Sequence, residues 1–368
     1  MRQEGGDDVI EEATRQVAFR PDYAIPPGET LRDTIDALGM TQADLARRTA
    51  LSAKHINQIV QGIAPITPET AIAFEHVTGV PARLWNALEA NYRQRLAQKR
   101  ERELIESDEA WVASMPVREL VKRGALPRTT ELGERFQALL SFFGVASLDA
   151  WRAVWLAPDA AFRRSRALAA KPEATAAWLR LGEIEAARVE SRPYDRTRFR
   201  GALDEVRTML GDPPGRYVAM AQELFAAAGV VLVIVPEVAG CRANGAARWL
   251  RPYRALIQLS LRYRWEDIFQ FSLFHEAGHI LLHGKREAFV DDGQGADDKE
   301  READRFAAGL LIPERDAPAL ADIHTLADAE DFADRIEVPP GVVVGRLQHE
   351  GRLGHQAGNA LRRRLVLA

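Results

Sequence analysis

Apolar residues recur at helical spacing along most of the chain. Residues 30–97 predict five short helices, and residues 104–228 continue with Leu, Ala, Phe and Trp at intervals of three or four positions. The period changes after Gly229, where the β-branched run VVLVIV at residues 230–235 is typical of a buried strand. The pattern therefore predicts a multidomain, mainly α chain that ends in an α+β region.

The α+β region combines a small β-sheet with two long helices. Further strands are expected at residues 248–249 and 255–261. A helix is predicted over about residues 265–283, because Gly284 then stands at a C-cap position. After a polar loop, a second helix is predicted over about residues 298–312.

Changes in polarity and period divide the chain into four segments. Residues 1–22 are expected to be a flexible polar tail, and residues 23–97 a first, all-α domain. Residues 98–228 are expected to form a helical linker or middle domain. Residues 229–368 are expected to form the α+β domain.

Composition narrows the class of protein. Of 368 residues, 46% are apolar and 28% are charged, which fits a folded chain rather than a disordered one. The net charge of −4 gives no general attraction for nucleic acid or membrane, so either partner would need a local patch. No apolar run approaches the roughly 18 residues that span a bilayer, and the N-terminal residues do not resemble a secretory signal. We therefore expect a cytoplasmic protein without a membrane partner.

The single cysteine limits the available chemistry. Cys241 alone excludes an intramolecular disulfide framework and a CxxC zinc site, and it fits a reducing compartment. We expect it to be a lone buried thiol.

Two short helices joined by a tight turn are predicted within the first domain. TQAD at residues 41–44 is a capping signature for the first helix, and Ser52 is an N-cap candidate for a second helix over residues 53–61. This arrangement predicts a helix-turn-helix, whose second helix enters the major groove of DNA. An ordinary small helical bundle is the alternative.

The polar residues of these helices suit contact with DNA. Asn and Gln can pair with adenine, Lys can meet guanine or phosphate, and residues near the first helix can contact phosphates. For His55, a base contact, a phosphate contact and simple exposure remain open. The candidate DNA-binding residues are Gln42, Arg47, Lys54, His55, Asn57 and Gln58.

Residues 26–92 resemble the XRE-type helix-turn-helix of HigA antitoxins. The resemblance is carried by PPGETLRDTIDALGMTQADLARRTALSAKHINQIVQG and by ITPETAIAFEHVTGVPARLWNALEANY. It implies binding to a double-stranded DNA operator. It also implies a homodimer on a palindromic site.

A second motif points to a metal. His275 and His279, in HEAGH, are four residues apart in a predicted helix, so both imidazoles lie on one face and can converge on Zn²⁺. Glu276 between them can reach a water molecule on the metal. A hydrogen-bonded pair of core histidines is the alternative.

The next helix is the expected source of a third ligand. Glu300 and Asp304 share one face, so Glu300 suits a ligand, and Asp304 can orient a histidine ring. Glu302 is the alternative ligand if the helix begins elsewhere. His283, one turn beyond the motif, is expected beside the metal rather than on it, because reaching the ion would strain a straight helix.

Residues 229–348 resemble the ImmA/IrrE zinc metallopeptidases, of the gluzincin type. The resemblance is carried by ALIQLSLRYRWEDIFQFSLFHEAGHILLHG, KEREADRFAAGLLIP and VPPGVVVGRLQ. It implies a gluzincin-like zinc domain and peptide-bond hydrolysis. It assigns His275, His279 and Glu300 as zinc ligands and Glu276 as general base. Arg262, Tyr263 and His283 remain open as oxyanion donors.

The two resemblances together predict a DNA-binding transcriptional regulator with a zinc-dependent peptidase domain. Its expected substrate is a repressor, an antitoxin or the chain itself. The alternative is a non-proteolytic antitoxin or transcription factor, in which the metallopeptidase-like domain acts as a sensor.

Overall fold

The computed structural model describes residues 25–105, 108–156, 171–285, 287–291 and 298–366. It divides into two units, residues 1–107 and residues 108–368. The predicted tail at residues 1–22 lies outside the described residues. In the described ranges, no helix combines the length and the apolar character needed to cross a membrane.

The described part of the first unit is helical, as the sequence predicts. Its interior contains fully buried Leu31, Leu45, Ile56, Phe74 and Trp85. The helices are α1 (Pro27–Ala37), α2 (Gln42–Thr49), α3 (Ala53–Val60), α4 (Pro68–Thr78) and α5 (Ala82–Ile105).

Side-chain caps define the turn between α2 and α3. Thr41 and Asp44 form a reciprocal capping box at the start of α2. Ser52 accepts a hydrogen bond from the backbone N–H of His55 at the start of α3. Ala50 has a φ of 57°, the left-handed conformation that reverses the chain between the two helices. The predicted helix-turn-helix geometry therefore has a local physical basis.

The second unit begins with short helices around an aromatic cluster. Trp111 packs edge-on against Phe136 and Trp151, and Phe143 does so against Trp151 and Trp155. Such edge-to-face contacts favour a fixed packing of large apolar rings. These helices are α6 (Glu109–Ser114), α7 (Val117–Lys122), α8 (Leu132–Phe143) and α9 (Leu148–Trp155).

The sheet of the second unit has four strands in the order β1-β3-β2-β4. β1 pairs parallel with β3, whereas β2 pairs antiparallel with both β3 and β4. The sequence predicts the first three strands with slightly different ends, and β4 is an addition. The strands are β1 (Val230–Ile234), β2 (Gly245–Arg251), β3 (Arg254–Leu259) and β4 (Ala288–Asp291).

Helices that precede residue 228 share a hydrophobic core with the sheet. Phe199, Tyr217 and Phe225 belong to the same buried cluster as Leu232 and Phe274. The predicted boundary between a middle domain and an α+β domain stays a prediction, but apolar packing crosses it. The helices that contribute are α11 (Arg196–Thr208) and α12 (Pro214–Ala227), whereas the preceding helix α10 (Pro172–Ala187) contacts β1 and β3 of the sheet.

Two helices that pack closely complete the core. A Cβ atom placed on Gly278 of the first helix would lie 3.1 Å from the Phe306 ring and 3.3 Å from the Ala303 Cα of the second. The missing side chain therefore allows a close backbone approach. These helices are α13 (Glu266–Leu282) and α14 (Asp298–Leu311), and they are followed by α15 (Leu326–Arg335) and α16 (Pro340–His349).

The C-terminal segment ties down the first turn of α13. Arg362 donates to both carboxylate oxygens of Asp267, at 3.0 and 2.7 Å, and the two side chains are only 7% and 6% exposed. Arg363 pairs with the neighbouring Glu266 at 2.8 Å. Burial raises the pKa of Asp267, although Arg362 opposes the shift. The bidentate contact fixes the start of α13 against residues near the end of the chain.

We expect Asp267→Asn to lower the free energy of unfolding by about 3 kcal/mol, because it leaves the Arg362 charge buried without a counter-charge. Urea unfolding followed by circular dichroism measures the change. Asp149→Asn is the matched control: it breaks a pair with Arg152 whose side chains are 90% and 56% exposed, so its effect should stay below about 1 kcal/mol. Equal effects of the two variants would contradict the prediction.

Candidate functional site

The HEAGH motif lies in a helix that is buried on almost every side. α13 packs against the sheet on one side and against α14 on another. His275, Glu276 and His279 are therefore 2%, 0% and 1% exposed. Buried imidazoles and carboxylates need partners, because burial without a hydrogen bond or a counter-charge is unfavourable.

Glu300 of α14 supplies a carboxylate to both motif histidines. The Nε2 atoms of His275 and His279 lie 3.0 Å apart. Glu300 Oε2 lies 3.1 Å from the first and 3.6 Å from the second. These three atoms form a compact triangle of the kind that can hold a metal ion. The structure thus brings together the three ligands that the sequence predicts.

Burial and hydrogen bonding oppose each other at this triangle. Burial alone would raise the pKa of Glu300, but its contacts with His275 and His279 outweigh burial and lower it to about 2. Burial lowers the pKa of His279 to about 4. For His275, burial also acts to lower the pKa, but hydrogen bonds that its ring donates to Asp304 and Glu300 leave the pKa well above its ordinary value. The triangle therefore holds a carboxylate beside a neutral His279.

Each motif histidine has a further neighbour on its other ring nitrogen. His275 Nδ1 lies 2.9 Å from Asp304 Oδ1. His279 Nδ1 lies 3.0 Å from His283 Nδ1, and His283 Nε2 lies 3.2 Å from Glu302 Oε2. Glu302, the alternative ligand of the sequence analysis, thus contacts His283 instead of the triangle.

Glu276 occupies an unusual environment. It is fully buried, and neither of its carboxylate oxygens has a hydrogen-bond partner among the residues that the structure describes. A Cβ on Gly245 of β2 would lie 2.4 Å from Glu276 Oε1, so glycine leaves the space that the carboxylate fills. Burial raises the pKa of Glu276 well above its ordinary value. An acid in this setting is a strong proton acceptor once ionised.

The last residue of β4 places another acid beside the motif. Ligand atoms of Asp291, His275 and Glu276 lie within 4.8 Å of one another. Asn244 donates two hydrogen bonds to Asp291. Its backbone N–H donates to the Asp291 backbone carbonyl at 2.7 Å, and its side-chain amide donates to Asp291 Oδ2 at 3.2 Å. Sequence reasoning missed Asp291, because a four-residue strand next to a polar loop carries little periodic signal.

The open candidates for oxyanion donors differ in their surroundings. Tyr263 is 51% exposed. Arg262 donates to the backbone carbonyl of Arg242 and lies over the Tyr263 ring. His283 is held between His279 and Glu302. None of the three is singled out by these contacts, so the assignment stays open.

Cys241 is buried, as expected, and burial raises the pKa of its thiol. A buried thiol whose pKa is raised is a poor nucleophile at neutral pH.

The first unit presents its polar candidates on the outside of α2 and α3. Ile56, Ile59 and Val60 bury one face of α3. Outside this buried face, the candidate residues of α2 and α3 differ in exposure: Arg47, Lys54 and Asn57 are exposed, whereas Gln42, His55 and Gln58 are half-buried. Arg47 also pairs with Asp44 within its own helix. All six predicted DNA-binding residues therefore have surface available for contact.

Comparisons with known families agree with this division. Residues 252–348 match the family described as the IrrE N-terminal-like domain, peptidase family M78. Residues 31–85 match a helix-turn-helix family. The chain joins a helix-turn-helix domain to an IrrE N-terminal-like domain.

Several solved structures are similar to about a quarter of this chain. An addiction module antidote protein of the HigA family from Coxiella burnetii is 28% identical, and the match covers 23% of this chain and 94% of that one, with a TM-score of 0.22. The antitoxin HigA of Pseudomonas aeruginosa, solved with the higBA promoter, is 30% identical over 23% of this chain and 95% of that one, also with a TM-score of 0.22. No curated protein gives a significant match.

We expect Glu276→Gln to change how the stability of the metal-free IrrE-like domain depends on pH. An acid whose pKa is higher in the folded than in the unfolded chain loses its stabilising contribution as pH rises above the unfolded value, here about 4.5. In the presence of a chelator, ionisation of Glu276 should therefore destabilise wild type between pH 5 and pH 8. Glu276→Gln cannot ionise there and should not lose stability in this way.

Thermal unfolding with a chelator tests this expectation. The melting temperature of Glu276→Gln relative to wild type should be higher at pH 8 than at pH 5. Glu314→Gln, which removes an exposed carboxylate, controls for net charge. If the difference in melting temperature between Glu276→Gln and wild type does not change with pH, Glu276 is not an uncompensated buried carboxylate.

Proposed function

We propose that this chain is a DNA-binding transcriptional regulator whose IrrE-like domain is a zinc-dependent peptidase. The observation that carries the proposal is the triangle of His275, His279 and Glu300 beside the buried, unpartnered carboxylate of Glu276. Two imidazoles and one carboxylate are a ligand set of catalytic zinc sites, which keep a fourth position open.

The residues present fit zinc. Tetrahedral coordination at about 2.0–2.1 Å separates ligand atoms by roughly 3.4 Å. The three atoms of the triangle are separated by 3.0, 3.1 and 3.6 Å. Without metal, burial lowers the pKa of His279 to about 4, so this ring is ready to bind, whereas Asp304 and Glu300 raise the pKa of His275, which must release a proton when zinc binds. The donor set contains no thiolate, so the site differs from zinc sites built on CxxC motifs.

Zinc bound at this triangle would polarise a scissile carbonyl and increase the acidity of water near neutral pH. The chain's own residues would carry out the proton transfers. Glu276 would accept a proton from the attacking water on a carboxylate oxygen and later donate it to the leaving amine. Asp304 would hold His275 in the tautomer that leaves Nε2 free. Burial of Glu276 supports this role, because a raised pKa makes its carboxylate more basic.

The first unit would provide binding to double-stranded DNA. The exposed polar positions of α3 carry Lys54 and Asn57, with Gln58 partly accessible. In a helix-turn-helix, the second helix enters the major groove, where these side chains can read base edges. Gln42 and Arg47 would contact phosphates beside the groove. We place the protein in the cytoplasm as a homodimer on a palindromic operator.

The proposed substrate is a regulatory protein: a repressor, an antitoxin or the chain itself. A sensor without turnover would keep the same metal ligands. It would have no need for a carboxylate placed between them without a hydrogen-bond partner. The position of Glu276 therefore favours the peptidase over the sensor.

Metal content and cleavage should separate in two variants. We expect about one zinc per chain in wild type and in Glu276→Gln, and none in His279→Ala, measured by mass spectrometry of the purified protein. His324→Ala, which changes an exposed histidine, is the control. Metal-free, folded wild type would refute the site.

Proteomics of new protein N-termini in cells should then find fragments in wild type that Glu276→Gln abolishes. If Glu276→Gln binds zinc and neither the fragments nor repression differ from wild type, the result would instead support the sensor.

We expect the double variant Lys54→Ala and Gln58→Ala to weaken binding to duplexes selected by wild type from a random pool by about 10–100-fold. The salt dependence of binding should also become less steep, because a phosphate or base contact from a cation is lost. Lys99→Ala, an equal loss of charge at an exposed position of α5, is the control. Unchanged affinity would mean that α3 is not the recognition helix.

A further inference from the structure

The two motif histidines are held in different ways. His275 Nδ1 contacts a carboxylate directly, at 2.9 Å from Asp304. His279 Nδ1 instead lies 3.0 Å from the Nδ1 atom of His283. His283 Nε2 then lies 3.2 Å from Glu302. A carboxylate thus stands behind each histidine, once directly and once through a third imidazole.

His279, His283 and Glu302 form a series of two contacts. If both rings are neutral, only one arrangement of protons makes both contacts hydrogen bonds. The Glu302 carboxylate can only accept, so a neutral His283 has its proton on Nε2 and accepts at Nδ1. A neutral His279 then has its proton on Nδ1, and its Nε2, which faces the triangle, is unprotonated. This Nδ1–H donates to His283 Nδ1, which is therefore the acceptor. The remaining proton of His283 is on Nε2 and is donated to the Glu302 carboxylate. The contacts define one tautomer for each ring.

Apolar packing alone does not select this orientation of His279. The ring of Phe289 stacks on it with centroids 4.0 Å apart and an angle of 13° between planes. A half-turn of the imidazole about its Cβ–Cγ bond keeps this stacking but carries Nε2 away from the triangle. A hydrogen-bond acceptor at Nδ1 distinguishes the two orientations, and His283 provides it.

We propose that His283 and Glu302 are positioning residues that orient His279 and fix its tautomer for zinc binding. This inference rests on the metal site of the proposed function. The side chain of His283 is only 3% exposed, so its orientation is constrained, whereas the side chain of Glu302 is 50% exposed and connects the hydrogen-bonded series to the surface. Partners that orient metal ligands in this way typically change metal affinity by 10–100-fold.

The test measures zinc affinity of the full-length protein by competition with a chromophoric chelator. His283→Phe, which removes both ring nitrogens, should weaken binding 10–100-fold. His283→Gln should stay within a few-fold of wild type, because its amide oxygen can accept from His279 and its amide nitrogen can donate to Glu302. Rescue by Gln distinguishes hydrogen bonding from simple filling of space.

Glu302→Ala keeps the proposal testable if His283→Phe is poorly folded. Glu302 is half exposed, so its removal should leave the melting temperature of the metal-free protein nearly unchanged. It should weaken zinc binding by up to about tenfold, and Glu314→Ala should not. The visible spectrum of the Co²⁺-loaded protein should also change in His283→Phe and be retained in His283→Gln.

The outcomes separate the two proposals. Zinc affinity that is equal in wild type, His283→Phe and Glu302→Ala overturns the positioning role and leaves the metal site intact. Equal losses in His283→Phe and His283→Gln also overturn it, because hydrogen bonding would then be irrelevant. Failure of wild type itself to bind zinc overturns both the metal site and the inference built on it.

Discussion

The close approach of α13 and α14 is the constraint on which the candidate site depends. His275 and His279 come from one helix, and the carboxylates of Glu300 and Asp304 that contact them come from the other. These contacts of about 3 Å require the two backbones to be near each other, which the absent side chain of Gly278 permits. A Cβ atom there would press on the Phe306 ring and the Ala303 backbone of α14, so the neighbouring atoms would have to move by a few tenths of an ångström. Gly278 thus favours the close packing that brings Glu300 to the histidine pair, although it contributes no side chain to the site.

The site also concentrates buried polar groups inside an apolar core. Phe274, Ala277 and Ile280 of α13 belong to the hydrophobic cluster, while the residues between them carry two imidazoles and a carboxylate. Most of these polar groups are balanced by a neighbour on α14. Glu276 is the exception, and its unpartnered oxygens raise the free energy of the metal-free fold. Active sites commonly keep such unfavourable groups because the chemistry uses them.

Local sequence signals predicted much of this structure, and non-local pairing explains what they missed. The capping residues of α2 and α3, the helix carrying HEAGH and the shared face of Glu300 and Asp304 all follow from spacing within one element. β4 does not, because it is stabilised by pairing with β2, some forty residues earlier in the chain. The role of Gly245 in making room for Glu276 likewise arises only when strand and helix meet.

In the proposed function, covalent linkage of the two units affects which substrate is cut. A regulator bound to its operator carries one peptidase site for each DNA-binding unit. Any protein bound to the same or an adjacent DNA site is then held near that site at an effective concentration far above its concentration in solution. A weak peptidase can therefore be selective without extensive recognition of its substrate. This argument favours a substrate that shares the operator, such as a second copy of the chain or another DNA-bound repressor, over a freely diffusing one.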